Sequence, residues 1–518
     1  MIPYGFNDKL WLMSINYPEK IKQSPVYDVA QRTPLEKANK LSSLLANNVL
    51  LKREDLQPVF SFKLRGAYNK IIGLSDKERK VGVIAASAGN HAQGVALAAN
   101  KLGIPATIVM PRTTPDIKVN AVDKLGAHVV LHGDIYDEAY EHAKKLANTH
   151  GLTFIHPYDD PEVIIGQGTV GMEILEQHPK DIEAIFIPVG GGGLIAGIAA
   201  YVKSIRPEIK IIGVEPDDAA CMQQALIAKT RVVLDEIGIF ADGVAVRQVG
   251  EEPFRIALNH VDDVVTVNSD EICAAIMDVF EDTRSITEPA GALAIAGLKK
   301  WVENNNICEK TLIGIASGAN MNFDRLRYIA ERAELGEKRE ALFGVTIDEK
   351  PGSFRRFCRA IGNRGITEFN YRYNDNNHAQ VFVGVKLREG DAEKENLYQQ
   401  LATGGYQVID MSDNEMAKLH VRYMIGGHAN LTNEHLFRFE FPERPGALSQ
   451  FLNTIGEEWN ISLFHYRNHG AAYGRVLMGI QVDQNEMEKL RCFLNQLSYP
   501  YSEETDNPAY QQFLRENS

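Results

Sequence analysis

The chain has 518 residues and a formal charge of −13, from 55 lysines and arginines against 68 aspartates and glutamates, with no compensating basic run. This balance argues against a nucleic acid partner and serves solubility. With 44% hydrophobic residues the chain can fill two or three domains. Met1 to Lys20 lacks the continuous apolar stretch of a signal peptide, and runs such as Gly193 to Val202 are too short to span a membrane, so a cytoplasmic protein without a membrane partner is expected. Five scattered cysteines (Cys221, Cys273, Cys308, Cys358, Cys492) without a C-x-x-C pair suggest reduced, packed thiols, with neither a disulfide framework nor a zinc site.

Residues 1 to 24 read as a polar lead-in, followed by a helix-like segment ending before Thr33. From about Asn48 the pattern changes to strand-length apolar runs: Val49 to Leu51, Val81 to Ala86, Ala106 to Met110, His128 to Leu131, Ala184 to Val189, Ile209 to Val214 and Thr311 to Ala316. They alternate with helical stretches such as His91 to Lys101 and Asp134 to Thr149. Unalternating strands separated by helices predict an α/β fold of about 300 residues, with a parallel sheet covered on both faces. Its ligand is expected beyond the carboxyl ends of the strands.

Lys63 stands in Ser61-Phe62-Lys63-Leu64-Arg65-Gly66-Ala67, ahead of a helix expected over Gly66 to Ile72 with Ser61 as its N-cap. A helix N-terminus and apolar neighbours both favour the neutral amine, which is a nucleophile toward carbonyls. The local alternative is a lysine whose stem lies on Phe62 while its head reaches water.

Three strand-end turns carry further signals. Ser87-Ala88-Gly89-Asn90-His91 opens a helix with small residues whose amides suit a carboxylate, although Asn90 also fits plain N-capping. Gly190-Gly191-Gly192-Gly193-Leu194 enters the helix expected over Ile195 to Ser204 and reads as a cup for one phosphate, a ligand close enough to require the glycines. Gly191, Gly193 and Ala196, with Glu215 ending the next strand, also imitate the G-x-G-x-x-A dinucleotide fingerprint. That motif belongs to a first βαβ unit, whereas here at least four strands precede it, and it leaves Lys63 unexplained. Ser317-Gly318-Ala319-Asn320 closes the Thr311 strand with a hydroxyl able to bond a ring nitrogen, or to form an ordinary turn.

An imine-forming lysine, a phosphate cup, an asparagine and a serine at strand ends are the parts a pyridoxal phosphate enzyme needs. These four motifs, in this order, closely resemble the fold-type II pyridoxal phosphate family of serine/threonine dehydratases. The resemblance implies that Lys63 holds pyridoxal 5′-phosphate as an imine, and that Gly190, Gly191, Gly192, Gly193 and the Leu194 amide bind its phosphate. It further implies that Asn90 contacts the ring hydroxyl, that Ser317 contacts the pyridine nitrogen, and that Ser87, Ala88, Gly89, Asn90 and His91 receive the substrate carboxylate. Lys63, once displaced, would take the Cα proton. Two departures from relatives narrow the activity. Ala88 stands where racemases of the family carry a second serine, which predicts poor racemisation. Cys221, in Glu215-Pro216-Asp217-Asp218-Ala219-Ala220-Cys221, replaces an expected carboxylate, which predicts no metal there. Glu288, opening Pro289-Ala290-Gly291-Ala292, either lies near the cofactor ring or complements a helix dipole. Gly166-Gln167-Gly168-Thr169 reads most simply as a turn or a glycine-permitted helix contact.

After Glu331 to Arg339 the chain repeats itself. Leu342-Phe343 parallels Leu436-Phe437 and Pro351-Gly352 parallels Pro445-Gly446 at an offset of 94, while Phe369-x-Tyr371-Arg372 parallels Phe464-x-Tyr466-Arg467 and Gly384 parallels Gly479 at 95. Each copy reads as a βαββαβ ferredoxin-like unit. The expected divisions are 1–335 for the catalytic domain, with α+β modules over 336–432 and 433–518. The tail resembles the paired ACT-like regulatory modules of the biosynthetic members of that family. This implies conversion of L-threonine to 2-oxobutanoate and ammonia at the committed step of isoleucine formation. It also implies isoleucine as inhibitor, valine as activator and a homotetramer, with effectors at the two Pro-Gly turns. Repeats serving only subunit association are the alternative. The competing functions are a serine-directed lyase or threonine synthase-like enzyme, a nicotinamide enzyme, and a non-catalytic amino-acid sensor.

Overall fold

The computed structural model describes residues 15–348, 350, 352–372, 378–419, 421–423, 431, 433–442, 459–467, 473–496, 499–507, 510 and 514. The chain divides into two compact units, 1–333 and 334–518.

In the first unit the apolar runs become strands, most of them buried at nearly every position, as expected where helices cover both faces of a sheet; His128–Leu131, at a sheet edge, has no buried residue. The strands are β1 (Leu35–Lys37), β2 (Asn48–Arg53), β3 (Val83–Ala86), β4 (Ala106–Met110), β5 (His128–Leu131), β6 (Thr153–Phe154), β7 (Ala184–Pro188), β8 (Lys210–Pro216), β9 (Asp263–Val267) and β10 (Thr311–Ala316). They form two sheets, not one: a six-stranded sheet in the order β1-β2-β10-β7-β8-β9 and a four-stranded sheet in the order β5-β4-β3-β6. All pairings are parallel except β1 with β2.

Helix Pro161–Gln177 packs on the helix that begins at Lys63 through glycines: a Cβ at Gly166 would collide with the Arg65 carbonyl and the Gly66 Cα. This is the glycine-permitted helix contact expected for Gly166 to Thr169. Several local expectations are corrected. The lead-in contains a helix, Tyr17–Lys22. Val81 ends the helix Asp76–Val81, and Gly82 turns the chain at φ +107° before β3. The helix at Lys63 spans Lys63–Ile72, so Lys63 is its first residue. Its N-cap is Phe62, without a side-chain bond, and Ser61 does not cap it.

In the second unit the first repeat runs β11 (Glu340–Asp348), helix Ser353–Ile361, β12 (Ile366–Arg372), β13 (His378–Lys386), helix Asp391–Thr403 and β14 (Gln407–Asp410). The second supplies β15 (Glu434–Pro442), β16 (Asn460–Arg467), β17 (Tyr473–Gln481), helix Met487–Gln496 and β18 (Tyr501–Glu503). All eight strands share one sheet in the order β14-β11-β13-β12-β16-β17-β15-β18. Each repeat therefore has the ferredoxin-like strand order, and the repeats join edge to edge where β12 pairs antiparallel with β16. Asn370 faces His465 in that register, its counterpart in the repeat, so this pair marks a local pseudo-twofold axis. One apolar core containing Phe343, Phe369, Phe437 and Phe464 runs under both repeats.

Candidate active site

Lys63 is positioned by a loop tied to the end of β10. Ser61 bridges Gly318 in antiparallel fashion, the Phe62 amide bonds the Ser317 carbonyl at 3.4 Å, and the Ala319 amide bonds the Phe60 carbonyl at 2.9 Å. Phe60 takes a left-handed φ of +55°, a cost that the surrounding bonds must offset. The helix then starts at Lys63, whose Nζ donates to the Pro157 carbonyl at 3.2 Å and lies 5.4 Å from the Phe62 ring centre. Burial pulls the amine down to about 8, with the Glu288 carboxylate acting in the opposite sense. Two residues away, the Ser61 hydroxyl is fully buried and has no hydrogen-bond partner among the described residues.

The glycine turn leaves β7, and Gly192 adopts φ +93°, a conformation suited to glycine. The 13-residue helix Gly193–Ile205 follows without a side-chain cap, so its first amides are free to meet an anion. The protein itself already crowds the glycines: a Cβ at Gly191 would enter the Tyr158 ring, one at Gly193 would lie 3.0 Å from the Tyr158 Cα, and one at Gly190 would lie 2.9 Å from the Val244 Cα. Packing against Tyr158 and Val244 thus demands at least three of the four glycines, beside any demand from a bound phosphate.

Asn90 begins the helix Asn90–Leu102, whose N-cap is Gly89, so its side chain does not cap. Its Nδ2 donates to Glu288 Oε1 at 2.5 Å and its Oδ1 accepts from Asn320 Nδ2 at 2.6 Å. Glu288 occupies the N-cap position of the helix Pro289–Asn305 without making a cap bond, and burial raises its carboxyl to about 7. Ser317 is buried, and its Oγ donates to the Ala290 carbonyl at 3.1 Å. In the Ser87 turn, the Gly89 amide bonds Ser87 Oγ at 3.3 Å, and a Cβ at Gly89 would meet open space. Ala88 packs against the core of the small sheet. His91 points inward: its Nε2 lies 2.9 Å from the Ile155 carbonyl, and burial beside Lys63 lowers it to about 3, leaving a neutral ring that donates to that carbonyl.

The segment Ile155 to Tyr158, directly after β6, therefore touches three motifs. Its carbonyls take His91 and Lys63, and Tyr158 packs on Gly191 and Gly193. It carried no local sequence signal, and neither did Gly243 and Val244, which pack against Ala290 and Gly190. Asn320 lay within the serine turn already singled out. Glu215 is committed elsewhere: its carboxylate accepts the Met222 and Gln223 amides at 2.8 and 2.9 Å at the start of the helix Cys221–Ala228. It is thus not presented to a ribose, which removes the support for the dinucleotide reading. Among the described residues no cluster of three or more His, Cys, Asp or Glu could hold a metal.

In the second unit the repeats carry matched buried sites. Glu340, Thr367 and Gly384 in the first correspond to Glu434, Ser462 and Gly479 in the second. The cations differ. Arg422 pairs with Glu340 and with Glu368, at 2.9 Å from the latter, whereas Arg372 reaches across the seam to Glu434, which also accepts the Tyr510 hydroxyl at 2.5 Å. Of the Pro-Gly turns, Gly352 is left-handed at φ +81°; Pro351, Pro445 and Gly446 lie outside the described residues.

Two helix-covered parallel sheets, with a lysine at a helix start beside a glycine turn, define a fold-type II pyridoxal-phosphate enzyme. The family model described as "Pyridoxal-phosphate dependent enzyme" matches residues 26–318, and that described as the "C-terminal regulatory domain of Threonine dehydratase" matches 331–421 and 425–514. A biosynthetic L-threonine dehydratase of Burkholderia multivorans is 55% identical over 507 residues, 97% of this chain and 100% of that protein. The Escherichia coli counterpart is 52% identical, covering 96% of this chain and 97% of that one. The solved structure of processed threonine deaminase isoform 2 from Solanum lycopersicum is 52% identical, with a TM-score of 0.61 over 65% of this chain and 91% of that chain. The chain belongs to the pyridoxal-phosphate-dependent enzymes and, within them, to the biosynthetic threonine dehydratase family. The residues present fit that cofactor: uncapped amides follow the glycine turn, a lysine of lowered basicity stands nearby, and a buried hydroxyl at Ser61 awaits a partner.

Proposed function

We propose that the chain converts L-threonine to 2-oxobutanoate and ammonia by β-elimination of water, as the committed step of isoleucine formation. The observation that carries this reading is the convergence of Lys63, His91 and the glycine turn on the segment Ile155 to Tyr158. Lys63 would hold the cofactor, Gly190 to Leu194 its phosphate, Asn90 its ring oxygen and Ser317 its ring nitrogen. When bound, pyridoxal 5′-phosphate supplies an electron sink that acidifies the substrate Cα–H bond. The chain's own contribution begins in the turn Ser87 to His91: with the Ser87 amide on the Val109 carbonyl and the Gly89 amide on Ser87 Oγ, the amides of Ala88, Asn90 and His91 are left to orient the substrate carboxylate at a helix start. The Lys63 amine, with a pKa of about 8, is basic enough to take the Cα proton and is partly neutral near pH 7. An uncharged hydroxyl at Ser317, in place of a carboxylate, would leave the ring nitrogen unprotonated and so favour prompt loss of the β-hydroxyl.

We assign the catalytic domain to residues 1–335 and the regulatory repeats to 336–432 and 433–518, in a cytoplasmic homotetramer inhibited by isoleucine and activated by valine. No helix among the described residues is long and apolar enough to cross a membrane. The test is 2-oxo acid release from L-threonine and L-serine, with and without isoleucine. Faster turnover of threonine, suppressed by isoleucine, supports the proposal. Equal or greater turnover of serine, insensitive to isoleucine, contradicts it.

A further inference from the structure

The Val59 carbonyl and the side chains of Asn320, Asn90 and Glu288 are linked by hydrogen bonds of fixed direction. The Val59 carbonyl can only accept, and it lies 2.9 Å from an amide atom of Asn320, which must therefore be Nδ2. That same nitrogen lies 2.6 Å from Asn90, so the Asn90 atom it meets must be the acceptor Oδ1. The other end of the Asn90 amide is then Nδ2, and one of its two N–H groups goes to Glu288 Oε1 at 2.5 Å. The direction is thus set by a backbone carbonyl with no alternative role, and it holds whether Glu288 is ionised or protonated. Space is reserved for the arrangement: a Cβ at Gly318 would strike Glu288 Oε1, and a Cβ at Gly243 would lie 2.9 Å from the Ala290 Cβ. Asn90 itself is only partly buried, and its second N–H has no acceptor among the described residues.

We propose that Asn320 and Glu288 form a polarised clamp that holds the Asn90 amide in one orientation, so that a donor N–H, not a carbonyl oxygen, faces the ring oxygen of the bound cofactor. Asn320 is then a positioning residue that acts through Asn90. This rests on the reading of Asn90 as the contact to the ring oxygen. With Asn320 removed, only Glu288 holds the amide, and whenever that carboxyl is protonated the amide can turn and present an oxygen to an oxygen, losing one hydrogen bond to the cofactor.

The experiment is a double-mutant cycle on the full-length apoprotein titrated with pyridoxal 5′-phosphate, using Asn90→Ala, Asn320→Ala and the double variant. The readouts are the dissociation constant and the position of the visible absorption band of the bound cofactor, which a purely structural defect would not move. Loss of one such bond corresponds to an affinity drop of about five- to tenfold. The clamp predicts that drop and a displaced band for Asn320→Ala in the parent protein, and no further change when Asn320→Ala is added to Asn90→Ala. An equal drop in both backgrounds overturns the clamp while leaving the Asn90 contact standing. Unchanged affinity and band in Asn90→Ala overturns the Asn90 contact and the clamp with it. Asn320→Ser runs the same cycle, with the same criteria, should Asn320→Ala fail to fold.

Discussion

Lys63 Nζ donates to the carbonyl of Pro157, 94 residues away in sequence, and this bond joins the helix that follows the large sheet's β2 to the strand exit of the small sheet. The amine is thereby held at the cleft while burial lowers it to about 8. Below that value most molecules carry an ammonium that cannot attack an aldehyde. The rate at which apoprotein takes up pyridoxal 5′-phosphate should therefore rise about tenfold per pH unit up to about pH 8, then level. Following the visible band after mixing at a series of pH values checks this; a rate still climbing steeply at pH 10 would show an ordinary lysine.

Arg65, two residues further along the same helix, is fully buried and bonds Glu54 at 2.8 Å and Glu173 at 2.6 Å, while Lys52 meets Glu173 at 2.5 Å. Two cations balance two carboxylates out of contact with water. Arg65→Ala leaves Glu54 and Glu173 undercompensated and should cost about 3–5 kcal/mol, read as a large drop in the thermal midpoint of the catalytic unit. A midpoint within a degree or two of the parent would refute this.

Tyr158 makes a sharper test of the glycine turn. Gly191→Ala drives a methyl into the Tyr158 ring and should destabilise the protein by about 1–3 kcal/mol. Adding Tyr158→Ala should recover much of that loss. The same second substitution should not relieve Gly193→Ala, whose methyl meets the Tyr158 backbone. Calorimetry on the four variants separates the two cases.

Seven of the ten first-unit strands were legible as apolar runs, whereas the edge strands β1, β6 and β9 carried no such run; the tail's repeat was legible because equivalent turns and strands recur at a nearly constant offset. What could not be read is what lies far apart in sequence. Ser61 looks like an N-cap by spacing, yet its pairing with Gly318 turns the chain so that the helix begins at Lys63. Asn90 has the chemistry of a cap, but Glu288 and Asn320 claim its side chain. Pro157 and Tyr158 are ordinary residues until the small sheet brings them to the cleft. The division of the α/β region into two sheets likewise depends on pairings that strand lengths do not encode.

In the regulatory unit, Arg372 of the first repeat is bidentate to Glu434 of the second and also bonds the Leu514 carbonyl at 2.8 Å. Arg372→Ala strands a buried carboxylate and should destabilise this unit by about 3–5 kcal/mol. Threonine turnover without effector should be retained and isoleucine inhibition weakened or lost. Full inhibition at the parent's isoleucine concentration would show that the seam has no part in regulation.

The proposed role of Lys63 as the carrier of the cofactor in a threonine-consuming lyase is open to a direct test. Purified protein is reduced with borohydride, digested and mapped by mass spectrometry, alongside Lys63→Ala. A phosphopyridoxyl group is expected on the peptide containing Lys63, together with a variant that lacks the visible band and forms no 2-oxobutanoate from L-threonine. The group on a different lysine, or a Lys63→Ala protein that retains turnover, would contradict it.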